Sequence, residues 1–139
     1  MSAAFHLAFP VRDIESTRVF YRDVLGCAIG RETDRWIDID FFGNQISAHV
    51  TEVKQPSMTS VVDGVEVPLR HLGALLDSSS WRVLGERITS HGIEFLIPPT
   101  LRYEGKPGEQ GTMFIQDPSG NGIEFKTFTH DDEVFATSS

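Results

Sequence analysis

Apolar residues recur along the first third of the chain in the order strand, helix and three strands. The segment "HLAFPV" is a short apolar strand, and "RDIESTRVFYRDVLG" then places apolar residues at helical spacing between an N-capping Asp13 and a closing Gly26. The segments "CAIGRE", "RWIDIDFF" and "QISAHVTEV" are typical of strands, and Gly43-Asn44 between the last two suits a tight hairpin. The pattern predicts a β-α-β-β-β unit.

The same order of elements starts again after a segment rich in Pro, Ser and Gly, "KQPSMTSVVDGVEVP", which is typical of a connector. A strand, "RHLGALL", precedes a helix, "DSSSWRVLGERITSHG", capped by Asp77 or a following serine and ended by Gly92. The strand "IEFLI" is broken at Pro98-Pro99. The loop "TLRYEGKPGEQG", the strand "TMFIQD", the turn "PSGN" and the strand "GIEFKTF" complete a second β-α-β-β-β unit.

The two units form an internal repeat in which His6 aligns with His71 at the head of each first strand. One such unit alone exposes a face of its sheet, and pairing two units buries that face in a shared, curved cleft. We therefore predict a single α+β domain over residues 1–139. Module 1 is expected at about 4–52, a connector at 53–68, module 2 at about 69–128 and a loose tail at 129–139.

The repeat places candidate metal ligands at matching positions. His6 and His71 head the first strands, and Glu124 lies in the last strand of the second unit, with His49 at a roughly matching place in the first. Two imidazoles and one carboxylate are typical of a facial triad for Fe(II), although Mn(II) and Zn(II) also accept this set. The alternative is that the histidines are polar groups satisfied by neighbours and that Glu124 lies on a solvent-facing edge beside Lys126.

Charge and cysteine content indicate which binding partners and which cellular compartment are expected. The formal net charge is -8, from 12 Lys and Arg against 20 Asp and Glu, and no basic run is present, so nucleic acid and anionic membranes are not expected partners. Cys27 is the only cysteine, which excludes an intrachain disulfide. No apolar run is long enough to span a bilayer, and no basic region precedes the N-terminal apolar run. A cytoplasmic protein is expected.

Three stretches carry a resemblance to a known superfamily: "FHLAFPVRDIESTRVFYRDVLG", "RHLGALL" and "FIQDPSGNGIEFKTF". With the paired βαβββ order, they resemble the vicinal oxygen chelate superfamily, which includes glyoxalase I, fosfomycin-modifying transferases and type I extradiol dioxygenases. The resemblance extends over nearly the whole chain up to Phe128. It implies that His6, His71 and Glu124 hold a divalent metal and that substrate chelates this metal through two neighbouring oxygens.

The resemblance also implies roles for a histidine and a tyrosine. Glyoxalase I-like members have a further ligand glutamate on the last strand of the first module, where this chain places His49, and this departure favours a three-ligand site. Extradiol dioxygenases have a histidine in this region of the fold that acts as acid or base, and the resemblance implies this role for His49. Larger extradiol enzymes have a tyrosine on the strand before the carboxylate, whereas that strand here is "TMFIQ". Tyr103, in the preceding loop, is the nearest substitute.

The glycine-rich loop that contains Tyr103 is long enough to act as a lid and also carries Arg102, Lys106 and Gln110, which are expected to meet an anionic substrate. Met113, on the following strand, is a further expected substrate contact. A solvated connector is the alternative for the loop.

The resemblance is greatest to small extradiol-dioxygenase-like proteins, which implies a ring-cleaving dioxygenase that uses Fe(II) and forms a homodimer. Mn(II), Zn(II) or Ni(II) are alternatives for the metal. A lyase, isomerase or transferase that uses the metal as a Lewis acid is an alternative for the reaction, and a small-molecule binding protein is an alternative from another class.

Overall fold

The structure is a computed structural model that describes residues 3–52 and 58–137. The chain divides into two compact units. The first comprises Met1–Ser57 and Asp117–Asn121, and the second comprises Met58–Gln116 and Gly122–Ser139.

The first unit contains one four-stranded sheet and one helix. Its sheet has the order β1-β4-β3-β2, with β1 parallel to β4 and the other pairs antiparallel. In chain order the elements are β1 (His6–Val11), α1 (Ile14–Val19), a π-helical turn (Phe20–Val24), β2 (Ala28–Glu32), β3 (Trp36–Phe41) and β4 (Asn44–Val50).

Alternation along the strands separates a core face from an outer face in this sheet. Ile37, Ile39 and Phe41 are buried, whereas Asp38 and Asp40 between them point to the other face. The helical segment is anchored as the sequence predicts, because the carboxylate of its N-cap, Asp13, accepts a hydrogen bond from the backbone N–H of the third residue beyond it.

The second unit repeats this arrangement after an additional hairpin. Its four-stranded sheet has the order β7-β10-β9-β8, with β7 parallel to β10. The elements are β5 (Thr59–Val62), β6 (Val65–Pro68), β7 (His71–Leu75), α2 (Ser78–Ser90), β8 (Ile97–Arg102), β9 (Gln110–Gln116) and β10 (Gly122–Phe128). The predicted βαβββ order is therefore confirmed in both units, as is the α+β fold class.

The connector prediction is wrong for the part of the segment that the structure describes. Residues 53–57 lie outside the described residues, but β5 and β6 form an antiparallel hairpin. Asp63 and Gly64 both have positive φ angles, of 50° and 75°, so the Asp-Gly pair makes a tight two-residue turn.

Two other boundaries differ from the prediction. The strand predicted to stop before Pro98-Pro99 instead begins at Ile97 and includes both prolines. It is an edge strand with a register irregularity between Ile97 and Thr100, where a missing N–H costs no ladder bond. The tail is also partly ordered, because Glu133 accepts a hydrogen bond from the backbone of Gly108.

No helix among residues 3–52 and 58–137 is both long enough and apolar enough to cross a membrane.

Candidate metal centre

The sheet of the second unit has one face toward α2 and one face that carries polar side chains. Ile123, Phe125 and Thr127 are buried, and Trp81 of α2 donates its indole N–H to the Phe125 carbonyl oxygen at 2.9 Å. Glu124 and Lys126 alternate with them and therefore point to the other face. We call this surface of β7, β8, β9 and β10 the polar face.

His71 and Glu124 meet on the polar face. The His71 Nε2 and Glu124 Oε1 atoms are 3.6 Å apart, with side chains 23% and 17% exposed. The second carboxylate oxygen, Oε2, accepts a hydrogen bond from the buried Thr112 hydroxyl at 2.5 Å. Since Thr112 engages Oε2, it is Oε1 that faces the imidazole.

The imidazole of His71 is oriented by the backbone. Its Nδ1 atom lies 2.8 Å from the Pro68 carbonyl oxygen, which can only accept, so Nδ1 carries a proton. In the neutral ring Nε2 then presents a lone pair toward Glu124 Oε1. Two lone pairs at this separation repel one another unless a proton or a cation lies between them.

The separation of His71 Nε2 and Glu124 Oε1 fits two ligands of one divalent metal. Two atoms that bind one divalent metal at about 2.0–2.2 Å, with an angle of about 90–120° between them, are separated by roughly 2.8–3.8 Å. The observed 3.6 Å lies within this range. Imidazole nitrogen and carboxylate oxygen are also donors that Fe(II), Mn(II) and Zn(II) accept.

An apolar wall covers the polar face beside this pair. The Phe114 ring packs edge-on against the His71 ring with centroids 4.7 Å apart. Phe114 is fully buried with Val67 of β6 and Ile97 of β8, so the hairpin β5–β6 shields this side of His71 from water. The hairpin lies in the segment predicted to be a connector, so the sequence did not predict this wall.

In the first unit, His6 and His49 lie on the outer face of the sheet. His6 begins β1 and pairs with Gln45 of β4, and His49 lies four residues further along β4, so the alternation places both on one face. Both are exposed. The prediction that His6 and His71 head equivalent strands is confirmed.

The strand registers correct the predicted match between His49 and Glu124. Glu124 lies two residues after the partner of His71, and the equivalent position in the first unit is Ser47, two residues after the partner of His6. Ser47 donates its hydroxyl to Asp38 at 2.6 Å. His49 is equivalent to Lys126 instead, because each lies four residues after the partner of the first-strand histidine.

A cleft of about 670 Å³ opens in the first unit between residues of β2, β3 and β4. Its lining includes the acidic side chains Asp38 and Asp40 and the basic side chain Arg31.

Among the described residues, the structure brings together no group of three or more His, Cys, Asp and Glu side chains that could hold a metal ion. Of the three predicted ligands, His71 and Glu124 lie together in the second unit.

The substrate-binding residues predicted in the loop have different environments, and two of them belong to strands, since Arg102 ends β8 and Gln110 begins β9. Arg102 donates from Nε and Nη2 to the Asp63 carboxylate at the tip of the β5–β6 hairpin, at 3.1 and 2.8 Å. Tyr103 is 60% exposed with a φ angle of 55°. Lys106 is exposed, and Gln110 is half-buried with its amide directed to the Gly108 carbonyl oxygen.

The prediction of Met113 as a substrate contact is wrong, because this residue lies on the core side of the sheet. Met113 pairs with Phe125 and is fully buried, and its sulfur lies near the backbone of Gly85 in α2. It contributes to packing between the sheet and the helix.

The family model described as Glyoxalase/Bleomycin resistance protein/Dioxygenase superfamily matches residues 4–125. The chain belongs to this superfamily. Among curated proteins no sequence matches it.

Solved structures of the superfamily agree with the fold. A glyoxalase/bleomycin resistance protein/dioxygenase from Alicyclobacillus acidocaldarius is 31% identical, with a TM-score of 0.80 over 96% of this chain and 97% of that chain. The fosfomycin resistance protein FosX from Listeria monocytogenes is 16% identical, with a TM-score of 0.70 over 96% and 98%. FosX in complex with Mn(II) and sulfate is 18% identical, with a TM-score of 0.68 over 96% and 94%.

Proposed function

We propose that this protein is a divalent-metal-dependent enzyme that acts on a small molecule with two neighbouring oxygen atoms. The observation that supports it is the His71–Glu124 pair. Pro68 fixes the Nδ1 proton of His71, so the Nε2 lone pair faces a carboxylate oxygen 3.6 Å away. A metal cation between these atoms removes the repulsion and uses both donors.

His6 is the third ligand in this proposal. Two histidines and a carboxylate leave open coordination positions for a substrate, and the set suits Fe(II) while also accepting Mn(II), Zn(II) or Ni(II). His6 lies in the first unit, so it is supplied either by the same chain or by a second copy in a homodimer.

The reaction that we propose is ring opening of a catechol-like substrate next to its two hydroxyl groups, with dioxygen as the co-substrate. The bound metal supplies Lewis acidity, which lowers the pKa of the substrate hydroxyls. His49 acts as the general base that accepts a hydroxyl proton. Thr112 holds the carboxylate, and Phe114 with the β5–β6 hairpin limits water on one side of His71.

An oxygen-independent reaction of the lyase, isomerase or transferase class is the second candidate. The same donor set accepts Mn(II) or Zn(II), and a structure of similar fold, FosX, is solved with Mn(II). Ser47 occupies the position equivalent to Glu124, so the first unit has no second ligand carboxylate there, which disfavours the glyoxalase I-like lyase within this class.

Metal analysis of protein purified without air tests the proposal. We expect about one equivalent of iron per chain, lost in H71A and E124Q and retained in H91A. His91 is a suitable control because its ring contacts the Arg87 carbonyl oxygen at the end of α2. Wild-type protein that binds no metal, or an H71A variant that binds it equally well, would contradict the proposal.

Oxygen uptake with a panel of catechols then separates the two reactions. We expect H49A to retain iron while its turnover falls about 100-fold or more, as for loss of a general base. Loss of iron in H49A would make His49 a ligand. Metal-loaded protein that consumes no oxygen with any catechol would favour the oxygen-independent reaction.

A further inference from the structure

A cationic side chain lies beside the His71–Glu124 pair on the polar face. Lys126 follows Glu124 by two positions in β10. The two side chains therefore lie on one face, and their Cα atoms are about 7 Å apart. Across the sheet it pairs with Leu75 of β7 and Thr112 of β9. The lysine is thus within the reach of one small molecule held at the metal ligands.

Lys126 is a half-buried charge without an anionic partner. Among the described residues, no Asp or Glu oxygen lies within 4 Å of its ammonium. The ammonium instead lies 5.5 Å from the centroid of the Phe128 ring, on the side away from Glu124. The Thr112 hydroxyl opposite it already donates to Glu124. A partly desolvated cation in such a position gains by binding an anion.

The charge balance of the proposed centre favours the same conclusion. A divalent cation held by one carboxylate would, together with Lys126, give this face a net charge of +2. A substrate that carries an anionic group beside its chelating oxygens compensates both.

We propose that Lys126 is a specificity-determining residue that binds an anionic group of the substrate, a carboxylate or a phosphonate, beside the two chelating oxygens. The inference rests on the proposed metal-dependent function. Lys126 is the register equivalent of His49 in the second unit.

The test compares neutral and anionic ligands that differ only in the charged group, with the full-length protein loaded with Mn(II). Binding is measured by electron paramagnetic resonance and by the relaxation of water protons, which report displacement of metal-bound water without turnover. One pair is catechol and 3,4-dihydroxybenzoate, and the other is 1,2-propanediol and 1,2-dihydroxypropylphosphonic acid. The pairs distinguish a carboxylate from a phosphonate.

We expect wild-type protein to bind the anionic member of at least one pair about tenfold more tightly than the neutral member. K126M is expected to lose this preference while retaining Mn(II) and neutral-ligand affinity, and K126R to keep most of it. R82M is the matched control, because Arg82 is an exposed cation on α2, and the helix packs on the opposite face of the sheet.

Two results would overturn the inference while leaving the proposed function intact: wild-type protein with Mn(II) but no preference for either anion, or K126M with an undiminished preference. Failure of the proposed function gives a different result, since Mn(II) would then not bind or would bind equally to H71A. The inference would fall with it. Thermal unfolding of K126M and K126R, compared with wild type, verifies that each variant is folded.

Discussion

At the scale of single residues, the Thr112 hydroxyl determines the direction of the Glu124 carboxylate. It donates to Oε2 and leaves Oε1 toward His71. Thr112 is fully buried, so no water competes for this bond. A short hydrogen bond to a carboxylate is worth roughly 1.5–3 kcal/mol, which is enough to hold one rotamer of a flexible glutamate.

Replacing Thr112 by valine removes the hydroxyl at nearly constant volume. We expect T112V to weaken divalent-metal binding about 10- to 100-fold, as loss of the group that orients a ligand does elsewhere. Titration calorimetry with Mn(II) measures the effect. T112S keeps the hydroxyl and should bind nearly as wild type does; if serine and valine variants lose affinity equally, packing rather than the hydrogen bond is responsible.

The sequence reveals the metal-ligand candidates but not the residues that support them. His6, His71 and Glu124 stand out because a repeat aligns two histidines and because a carboxylate interrupts an apolar strand. Thr112 and Lys126 gain their significance only from the pairing of β9 and β10, which no local pattern specifies. Because register is not specified by local sequence, His49 was predicted to occupy the position equivalent to Glu124, which in the structure belongs to Ser47.

At the scale of elements, apolar contacts hold the β5–β6 hairpin on the sheet more strongly than its ion pair does. Val67 packs against Ile97 and Phe114 with none of its surface exposed. The Arg102–Asp63 pair at the tip has side chains that are 29% and 37% exposed. Solvent screens such a pair to less than about 1 kcal/mol, whereas burial of a valine contributes about 2 kcal/mol.

The hairpin can be tested by removing each contact separately. We expect V67A to lower the free energy of unfolding by about 2 kcal/mol and D63N to lower it by less than about 1 kcal/mol. Urea denaturation measures both. A larger loss in D63N than in V67A would show that the ion pair, and not the apolar cluster, anchors the hairpin.

The turn residues of the β5–β6 hairpin are visible in the sequence, but the Pro and Ser content of the segment favoured a connector. The segment "VVDGVEV" has valines on both sides of Asp63-Gly64, a pair suited to a tight turn, but Pro and Ser precede it and favour a connector. The strand through Pro98 was missed for a related reason. Proline excludes only a central strand, and the position of β8 at the sheet edge is a property of the tertiary structure.

At the scale of the whole molecule, the acidic residues couple stability to pH in opposite directions. Hydrogen bonds from Ser16 lower the pKa of Asp13, and those from Ser80 lower the pKa of Asp77. Their contribution is present at neutral pH and is lost as the pH falls. Burial raises the pKa of Asp117, although hydrogen bonds from Asn121 and Tyr21 oppose this shift. Because folding then favours the protonated form, this contribution is lost as the pH rises.

The opposite sign of Asp117 can be isolated with a D117N variant. We expect the stability of wild type relative to D117N to decrease as the pH rises from below 3.8, the ordinary value, through the raised pKa of Asp117. Urea denaturation from about pH 3.5 to about pH 7 measures this difference. A difference that grows with pH would mean that the four hydrogen-bond donors around the carboxylate outweigh its burial.

The first unit is discontinuous in sequence, because Asp117–Asn121 belongs to it together with Met1–Ser57. Asp117 accepts the hydrogen bond of the fully buried Tyr21 hydroxyl, and Asn121 donates to the Pro10 carbonyl oxygen. A gene fragment that encodes only the first repeat would leave this phenol without its acceptor inside the core. Although the two halves share one order of elements, the core of the first half depends on a segment from the second half of the chain.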